Sequence, residues 1–206
     1  MPRLLSLCVF LLVTACASPV TTPAETAAPT NARTAVFAAG CFWCVEQAFE
    51  KVPGVVEAVS GYTGGDLADP TYEAVSAGGT GHYEAVRVVY DPTKVTYSQL
   101  LDVFWHNADP FDPTGQFCDK GESYRAAIFP STPEEARVAQ ASRTAVAAQL
   151  GRAVDPAIVP ASRFYDAETY HQDYYLKNSQ RYAFYKWRCG RAQRLEEIWG
   201  PARDQG

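Results

Sequence analysis

The spacing of apolar residues changes several times along the chain, and each spacing predicts an element of secondary structure. Residues 34–39 form a short apolar run that predicts a strand, and the apolar positions after it recur at helical spacing until Pro53 and Gly54. Residues 63–81 are rich in glycine and polar residues and predict a loop. Further strands are predicted over 55–62, 82–90 and 124–130, and further helices after Thr96 and over 131–151.

The order strand, helix, strand, strand, helix, strand is the split β-α-β pattern. We therefore expect an α+β domain with a ferredoxin-like core, in which helices pack on one face of an antiparallel or mixed sheet. The C-terminal stretch that carries Cys189 is expected to be an irregular, mobile tail.

Residues 1–15 have the pattern of a lipoprotein signal peptide. Arg3 is followed by an apolar stretch from Leu4 to Val13, which is too short to span a membrane and is typical of the core of a signal peptide. The stretch leads into "VTAC", which resembles the lipobox of a bacterial lipoprotein and predicts Cys16 as the lipidated first residue. Ala17 after it favours the outer membrane. The alternative is an ordinary secretory signal with an incidental cysteine.

Residues 16–33 are expected to be a flexible tether, because they are rich in Ala, Thr and Pro and contain almost no large apolar residue. Residues 34–206 have the right length for a single catalytic domain with its own core. The net charge is -5 and the chain has no basic run, so nucleic acid is not expected as a partner. We expect a monomer that is held to the membrane only by its lipid.

The mature chain then offers four cysteines for chemistry: Cys41, Cys44, Cys118 and Cys189. A C-x-x-C pair such as Cys41 and Cys44 is a redox couple, half of a zinc site or two buried small residues. In an exported protein the four could also form two structural disulfides.

Cys41 falls at the junction between the first predicted strand and the first predicted helix. Free backbone N–H groups and the positive end of the helix dipole stabilise a thiolate there, so we expect a lowered pKa and a nucleophilic thiol. Phe42 fits the buried stripe of the helix, whereas Trp43 lies off that stripe and is the better candidate for a pocket wall.

Several longer motifs resemble those of one enzyme family. They occur in order over residues 35–178: "GCFWCVE", "SGYTGG", "PTYEAV", "GTGHYEAVRVVYDP", "DKGESYRAAIFP" and "FYDAETYHQDYY". Together they resemble the peptide methionine sulfoxide reductases that act on the S epimer. The resemblance implies an enzyme that reduces methionine S-sulfoxide, free or in proteins, without a cofactor or metal.

The resemblance also implies roles for individual residues. Cys41 matches the nucleophile that attacks the sulfoxide sulfur and becomes a sulfenic acid. Glu84 matches the acid that protonates the sulfoxide oxygen, a task that requires a raised pKa. Tyr72 and Tyr124 match two tyrosines that bind that oxygen. Phe42 and Trp43 match two rings that receive the methyl group, and Asp119 matches a carboxylate that binds the substrate backbone. His82 and His171 lie in the motifs, but no chemical step is assigned to them.

The family's chemistry further implies a resolving thiol and recycling by a thioredoxin-like dithiol donor. Many members have glycine in place of Cys44, so the identity of the resolving residue stays open. We favour Cys44, because residues three apart at a helix start lie within disulfide range. Cys118 and Cys189 are the alternatives, either as direct resolving thiols or as a second bond that passes reducing equivalents outward.

Two functions of other classes also stay open. A zinc-binding module would use all four cysteines, although the sequence lacks the second C-x-x-C that structural zinc sites usually contain. A general thiol-disulfide oxidoreductase would use the C-x-x-C pair but would not need Glu84, Tyr72 and Tyr124 around it. Metal analysis distinguishes the first function, and sulfoxide turnover distinguishes the second.

Overall fold

A computed structural model of the chain describes residues 29–201. The predicted signal peptide, the lipidation site Cys16 and most of the predicted tether lie outside the described residues. The strands are β1 (Arg33–Ala39), β2 (Val55–Thr63), β3 (Tyr83–Tyr90), β4 (Gly115–Gln116), β5 (Asp119–Lys120), β6 (Ala126–Ile128), β7 (Ala157–Ile158) and β8 (Tyr165–Asp166).

The helices are α1 (Phe42–Glu50), α2 (Tyr72–Ala77), α3 (Tyr97–His106), α4 (Pro133–Leu150), α5 (Tyr174–Lys177), α6 (Ser179–Arg188) and α7 (Arg191–Trp199). One turn of 3-10 helix covers Glu122–Tyr124. Over residues 29–201, none of the helices combines the length and the apolar character that crossing a membrane requires.

Six strands form one mixed sheet in the order β7-β6-β1-β3-β2-β8. Strand β3 lies between β1 and β2 and is antiparallel to both, so β1, α1 and β2 form the predicted split β-α-β unit. Strand β6 pairs antiparallel with the other edge of β1, and β7 pairs parallel with β6. The predicted α+β class and ferredoxin-like core are therefore confirmed.

The main core lies between the sheet and helices α1, α3 and α4. Phe37 of β1 is fully buried, and its ring lies 4.9 Å from that of Phe49 in α1 and 5.8 Å from that of Phe104 in α3. The opposite face of the sheet is covered by the chain around Phe164. Both faces of the sheet are therefore covered, and the turn from β1 into α1 lies at one end of the sheet.

Helices α3 and α4 begin where the sequence predicts. Thr96 and Gln99 form the expected capping box at the start of α3. At the start of α4 the Thr132 hydroxyl accepts the Glu135 backbone N–H, and α4 ends at Gly151 with a left-handed backbone. Local capping is enough to determine these boundaries.

The predicted loop over 63–81 contains a helix that the sequence analysis missed. Helix α2 has only six residues and is capped by the side chain of Thr71. A helix this short shows less than two turns of apolar periodicity, which is why its pattern resembles a loop. The strand predicted over 124–130 is also shorter than expected, because Tyr124 ends the 3-10 turn and β6 begins at Ala126.

The prediction of an irregular C-terminal tail is wrong, because residues 174–199 form α5, α6 and α7. Tyr182 of α6 is buried in an apolar cluster with Cys44 of α1. Arg194 of α7 forms an ion pair with Asp109, with 2.7 Å between Nε and Oδ2. These short helices are polar over most of their surface, so tertiary contacts stabilise them more than local sequence preference does.

Candidate active site

Cys41 occupies the sharp turn between β1 and α1. Gly40 has a φ of +82°, which a glycine adopts without strain, and a Cβ at this position would lie 2.5 Å from the Gln116 side chain. The chain can therefore reverse at once and place Cys41 as the N-cap residue of α1. The Cys41 side chain is buried, with 6% of its surface exposed.

The predicted position of Cys41 is confirmed, but the expected low pKa is wrong. The Cys41 side chain makes no capping hydrogen bond to the helix backbone. Burial raises the pKa of Cys41 well above its ordinary value, and the neighbouring Cys44 thiol and Glu84 carboxylate raise it further. Only a hydrogen bond with Tyr185 acts in the opposite direction. Burial therefore outweighs the favourable end of the helix.

The Cys44 thiol lies beside Cys41 on the next turn of α1. A hydrogen bond from Cys41 lowers the pKa of Cys44 to about 6, although burial opposes this shift. Arg191 and Lys186 from the C-terminal helices contribute positive charge in the same direction. The C-terminal helices therefore favour negative charge at Cys44.

Glu84 is the second residue of β3 and is buried, with 3% of its surface exposed. Its Oε2 accepts the backbone N–H of Phe42 at 3.0 Å, which places the carboxyl beside the start of α1. Burial raises the pKa of Glu84 to about 8, and the hydrogen bond from Phe42 offsets only part of this effect. Glu84 is therefore mostly protonated at neutral pH and can donate a proton.

Tyr72 and Tyr124 converge on the same region from α2 and from the 3-10 turn. The Tyr124 hydroxyl is close enough to Tyr72 to lower the pKa of Tyr72, against the effect of burial. Burial raises the pKa of both phenols, and the nearby Glu84 carboxylate adds to this effect. Both hydroxyls thus remain protonated near Cys41 and can donate to an oxygen atom.

Two aromatic rings follow Cys41 directly. Phe42 is fully buried and contacts the rings of Tyr62 and His171, so it belongs to the core as well as to the site. Trp43 is less buried and stacks on Tyr174 with 3.7 Å between ring centroids. The two rings form an apolar surface beside the thiol, which fits the predicted wall for a methyl group.

Asp119 lies on the short strand β5, where its Oδ2 accepts a hydrogen bond from the Tyr185 hydroxyl. Burial raises the pKa of Asp119, while the Tyr185 hydrogen bond and the charge of Arg191 partly offset the shift. The carboxylate therefore lies beside Tyr185, whose ring is edge-on to Trp43 with 5.9 Å between ring centroids.

The four cysteines fall into two pairs. Cys118 and Cys189 form a disulfide with 4.9 Å between their Cα atoms, whereas Cys41 and Cys44 are free and buried. The sulfurs of Cys118 and Cys189 are bonded to each other, so they cannot complete the four-cysteine zinc site that the sequence left open. Cys118 is exposed to solvent.

Three residues of the site were missed or left without a role in the sequence analysis. His171 is buried, and its Nδ1 accepts the indole N–H of Trp43 at 3.0 Å. Glu168 accepts the backbone N–H of Tyr72 at 2.8 Å. Both lie in the motif "FYDAETYHQDYY", which could have indicated them, but Tyr185 lies outside every recognised motif.

Comparison with known proteins agrees with this arrangement. Residues 33–203 match the family model described as peptide methionine sulfoxide reductase. The chain is 50% identical to peptide methionine sulfoxide reductase MsrA 2 of Caulobacter vibrioides, over 87% of this chain and 91% of that protein. It is 46% identical to peptide methionine sulfoxide reductase MsrA of Bacillus subtilis, over 81% of this chain and 95% of that protein.

Solved structures show the same likeness. The crystal structure of reduced Mxr1 from Saccharomyces cerevisiae matches with a TM-score of 0.70 and 31% identity, over 74% of this chain and 88% of that one. Methionine sulfoxide reductase A of Corynebacterium diphtheriae matches with a TM-score of 0.65 and 33% identity, over 73% of this chain and 77% of that one. The sequence match and the shared fold together show that this chain is an oxidoreductase that belongs to the peptide methionine sulfoxide reductase family.

Proposed function

We propose that this protein reduces methionine S-sulfoxide, free or in proteins, to methionine and thereby repairs oxidised proteins. The observation that carries the proposal is the placement of Glu84, a buried and mostly protonated acid, on the backbone N–H of Phe42, next to Cys41, with Tyr72 and Tyr124 close enough for Glu84 to affect their pKa. Reduction of a sulfoxide needs a sulfur nucleophile together with an acid for the oxygen.

In the proposed first step, the sulfoxide methyl group packs against Phe42 and Trp43, and Tyr72 and Tyr124 donate hydrogen bonds to its oxygen. The Cys41 thiolate attacks the sulfoxide sulfur and forms an S–S bond to it, while Glu84 protonates the oxygen, which becomes a hydroxyl group. The hydroxyl group then leaves the methionine sulfur and bonds to the Cys41 sulfur as the S–S bond breaks, so Cys41 becomes a sulfenic acid and methionine leaves. The methionine sulfur is reduced by two electrons, and the Cys41 sulfur is oxidised by two.

In the proposed second step, the Cys44 thiol attacks the Cys41 sulfenic acid, and the oxygen leaves as water. The backbone supports this choice, because the Cys44 N–H donates to the Cys41 carbonyl at 3.0 Å and so places Cys44 beside Cys41 before any rearrangement. A thioredoxin-like dithiol donor then restores the enzyme. Because Cys41 and Cys44 are buried and Cys118 is exposed, we propose that the Cys118–Cys189 pair passes reducing equivalents from that donor inward to the Cys41–Cys44 disulfide, and not outward as expected from the sequence.

A general thiol-disulfide oxidoreductase is the second candidate, supported by the two free thiols of the C-x-x-C pair. It offers no task for a buried acid at Glu84 or for the paired hydroxyls of Tyr72 and Tyr124. Sulfoxide turnover separates the two candidates.

We expect the protein to reduce the S epimer of methionine sulfoxide and to leave the R epimer unchanged when dithiothreitol is the reductant. The measurement is methionine formation from each separated epimer. Cys41→Ser is the negative control, because an alcohol is a poor nucleophile toward sulfur. Equal rates on both epimers, or no turnover of the S epimer, would contradict the proposed function.

Replacement of the acid should slow the chemical step without removing the binding site. Glu84→Gln keeps the shape of the side chain but cannot supply a proton, so we expect the single-turnover rate to fall by about 10² to 10⁴. Part of this loss should disappear at low pH, where solvent can supply the proton. Glu73→Gln, on the exposed side of α2, is the matched control and should have wild-type activity.

The role of Glu84 also predicts how the single-turnover rate depends on pH. Because the pKa of Glu84 is raised to about 8, the acid is present below that pH and is lost as the pH rises through it. The Cys41 thiolate becomes more abundant over the same range, because the pKa of Cys41 is raised even further. The wild-type single-turnover rate should therefore rise with pH up to about 8 and then level off, where the loss of the acid cancels the gain in thiolate. A wild-type rate that continues to rise about tenfold per pH unit well above pH 8, or full activity of Glu84→Gln at neutral pH, would remove Glu84 from the mechanism.

The first disulfide after one turnover should join Cys41 to Cys44. Fully reduced enzyme receives one equivalent of methionine S-sulfoxide, free thiols are trapped by alkylation, and the bridge is mapped by mass spectrometry. A first linkage from Cys41 to Cys118 or Cys189 would make Cys44 a packing residue. Full cycling of Cys44→Ser with a dithiol protein donor would lead to the same conclusion.

We also propose that the protein is exported as a monomer and anchored by a lipid on Cys16, at the outer membrane. The apolar stretch from Leu4 to Val13 and the "VTAC" sequence support this proposal. Cys16→Ser should move the protein from the membrane fraction to the soluble fraction. Cys8→Ser, which changes a second cysteine of the same segment, should stay bound. Retention of Cys16→Ser in the membrane would require a different anchor.

A further inference from the structure

The ring of Trp43 is held in place by one short segment of the chain, residues 171–174. His171 accepts the indole N–H of Trp43 on its Nδ1 at 3.0 Å. Tyr174 stacks on the same ring, with 3.7 Å between the centroids and 6° between the ring planes. Since Trp43 is part of the apolar wall beside Cys41, the position of the 171–174 segment determines how that wall is oriented.

The two middle residues of the 171–174 segment attach it to β2 and to α1. The Gln172 side chain binds the backbone of Ser60, accepting its N–H and donating to its carbonyl, both at 2.9 Å. The Asp173 backbone N–H donates to Oε1 of Glu46 at 2.8 Å. Asp173 has a φ of +52°, a left-handed conformation that is uncommon outside glycine. The bond to Glu46 therefore helps to hold a backbone conformation that local preference disfavours.

Glu46 is itself firmly held. It is buried, with 1% of its surface exposed, and its Oε2 accepts the Ser60 hydroxyl at 2.7 Å, so both of its oxygens are bonded. Burial raises the pKa of Glu46 to about 7, which shows that the ionised carboxyl is destabilised here. An apolar side chain would avoid this cost but would leave the Asp173 N–H without its acceptor. Glu46 lies three residues after Trp43, so α1 carries both the ring and the anchor of the segment that holds the ring.

We propose that Glu46 is a positioning residue that fixes the 171–174 segment and thereby sets the orientation of Trp43 in the wall that receives the S-alkyl group of the substrate. The inference rests on the proposed reduction of sulfoxides and adds a determinant of substrate specificity to it. A ring held in one orientation leaves room for a methyl group and disfavours a longer alkyl group. One methylene changes discrimination in an apolar pocket by about 10- to 200-fold, so release of the ring should reduce this selectivity.

The first test observes the ring without any sulfoxide. The four tryptophans of the protein are replaced by 5-fluorotryptophan, and fluorine NMR resonances are assigned with Trp43→Phe and Trp105→Phe. Glu46→Ala removes both acceptor atoms and should shift or broaden the Trp43 resonance, because the segment that holds the ring is released. Trp105 is the internal control, since it is fully buried and its indole N–H donates to the Ser142 hydroxyl at 2.7 Å, away from the site. Its resonance should not change.

Glu46→Gln is the conservative variant and should restore the wild-type Trp43 resonance. Its amide oxygen can accept the Asp173 N–H, and its amide nitrogen can donate to the Ser60 hydroxyl, which accepts as well as donates. Circular dichroism establishes that each variant is folded. If Glu46→Ala does not fold, Gln172→Ala provides the test, because it releases the same segment from Ser60. A Trp43 resonance that does not move in the folded variant, or a shift that the Trp105 resonance shares, would overturn the proposal.

The second test measures specificity. Single-turnover rates are compared for methionine S-sulfoxide and ethionine S-sulfoxide, which differ by one methylene on the sulfur. Glu46→Ala should lower the ratio of the two rates by about tenfold, and Glu46→Gln should keep the wild-type ratio. Ser142→Ala is the matched control, because it removes a hydrogen bond from the core between α3 and α4 and should lower the thermal midpoint without changing the ratio. A wild-type ratio in folded Glu46→Ala would overturn the proposed role in specificity.

Failure of the proposed function would give a different result from failure of this inference. If the wild-type protein reduces neither sulfoxide, the proposed function is contradicted, and the fluorine NMR comparison still decides whether Glu46 positions Trp43. If the wild-type protein reduces methionine S-sulfoxide but Glu46→Ala changes neither the Trp43 resonance nor the rate ratio, the proposed function stands and the positioning role of Glu46 is overturned.

Discussion

The hydrogen bond from the Phe42 backbone N–H to the Glu84 carboxyl is the contact on which the site depends. The first backbone donors of a helix need acceptors, and the thiol of the N-cap residue Cys41 does not provide one. A buried carboxyl from the middle of the sheet supplies it instead. The same bond that satisfies the end of α1 therefore holds the acid next to the nucleophile.

Burial helps one of the two groups that the reaction needs and hinders the other. It keeps Glu84 protonated, as a proton donor must be, but it also disfavours the Cys41 thiolate that the reaction needs. A helix terminus alone does not overcome the loss of solvent around the thiol. Of the neighbouring polar groups, Tyr185 lowers the pKa of Cys41, whereas Cys44 raises it and has a lowered pKa itself. The acid and the nucleophile are thus both buried, and the different polar groups around them give them different roles.

The C-terminal part of the chain completes the site that the split β-α-β unit begins. His171 accepts the indole N–H of Trp43 from a position 128 residues away in sequence. Tyr174 stacks on the same indole, and Tyr185 donates a hydrogen bond to Asp119. The Cys118–Cys189 bond joins this part to the central loop. The orientation of the Trp43 ring therefore depends on contacts with distant parts of the domain and not on the C-x-x-C segment alone.

The sequence by itself determined the elements whose signals are local. The apolar run of β1, the caps at Thr96 and Thr132 and the position of Cys41 before α1 all follow from residues within a few positions of one another. The motifs also indicated Glu84 and the tyrosines, because each lies within a longer recognisable stretch. Their protonation states did not follow, apart from the expectation that Glu84 needs a raised pKa.

Only the tertiary structure decided the pairing of Cys118 with Cys189, the raised pKa of Cys41 and the contact between Tyr185 and Asp119. Each depends on contacts between segments that are far apart in the chain, and burial exists only after those segments pack. The C-terminal helices were missed for the same reason, since ion pairs and apolar contacts with distant residues stabilise them. The local spacing of residues predicts most strands and helices of this fold, whereas the pKa values of its thiols depend on the packing of the whole domain.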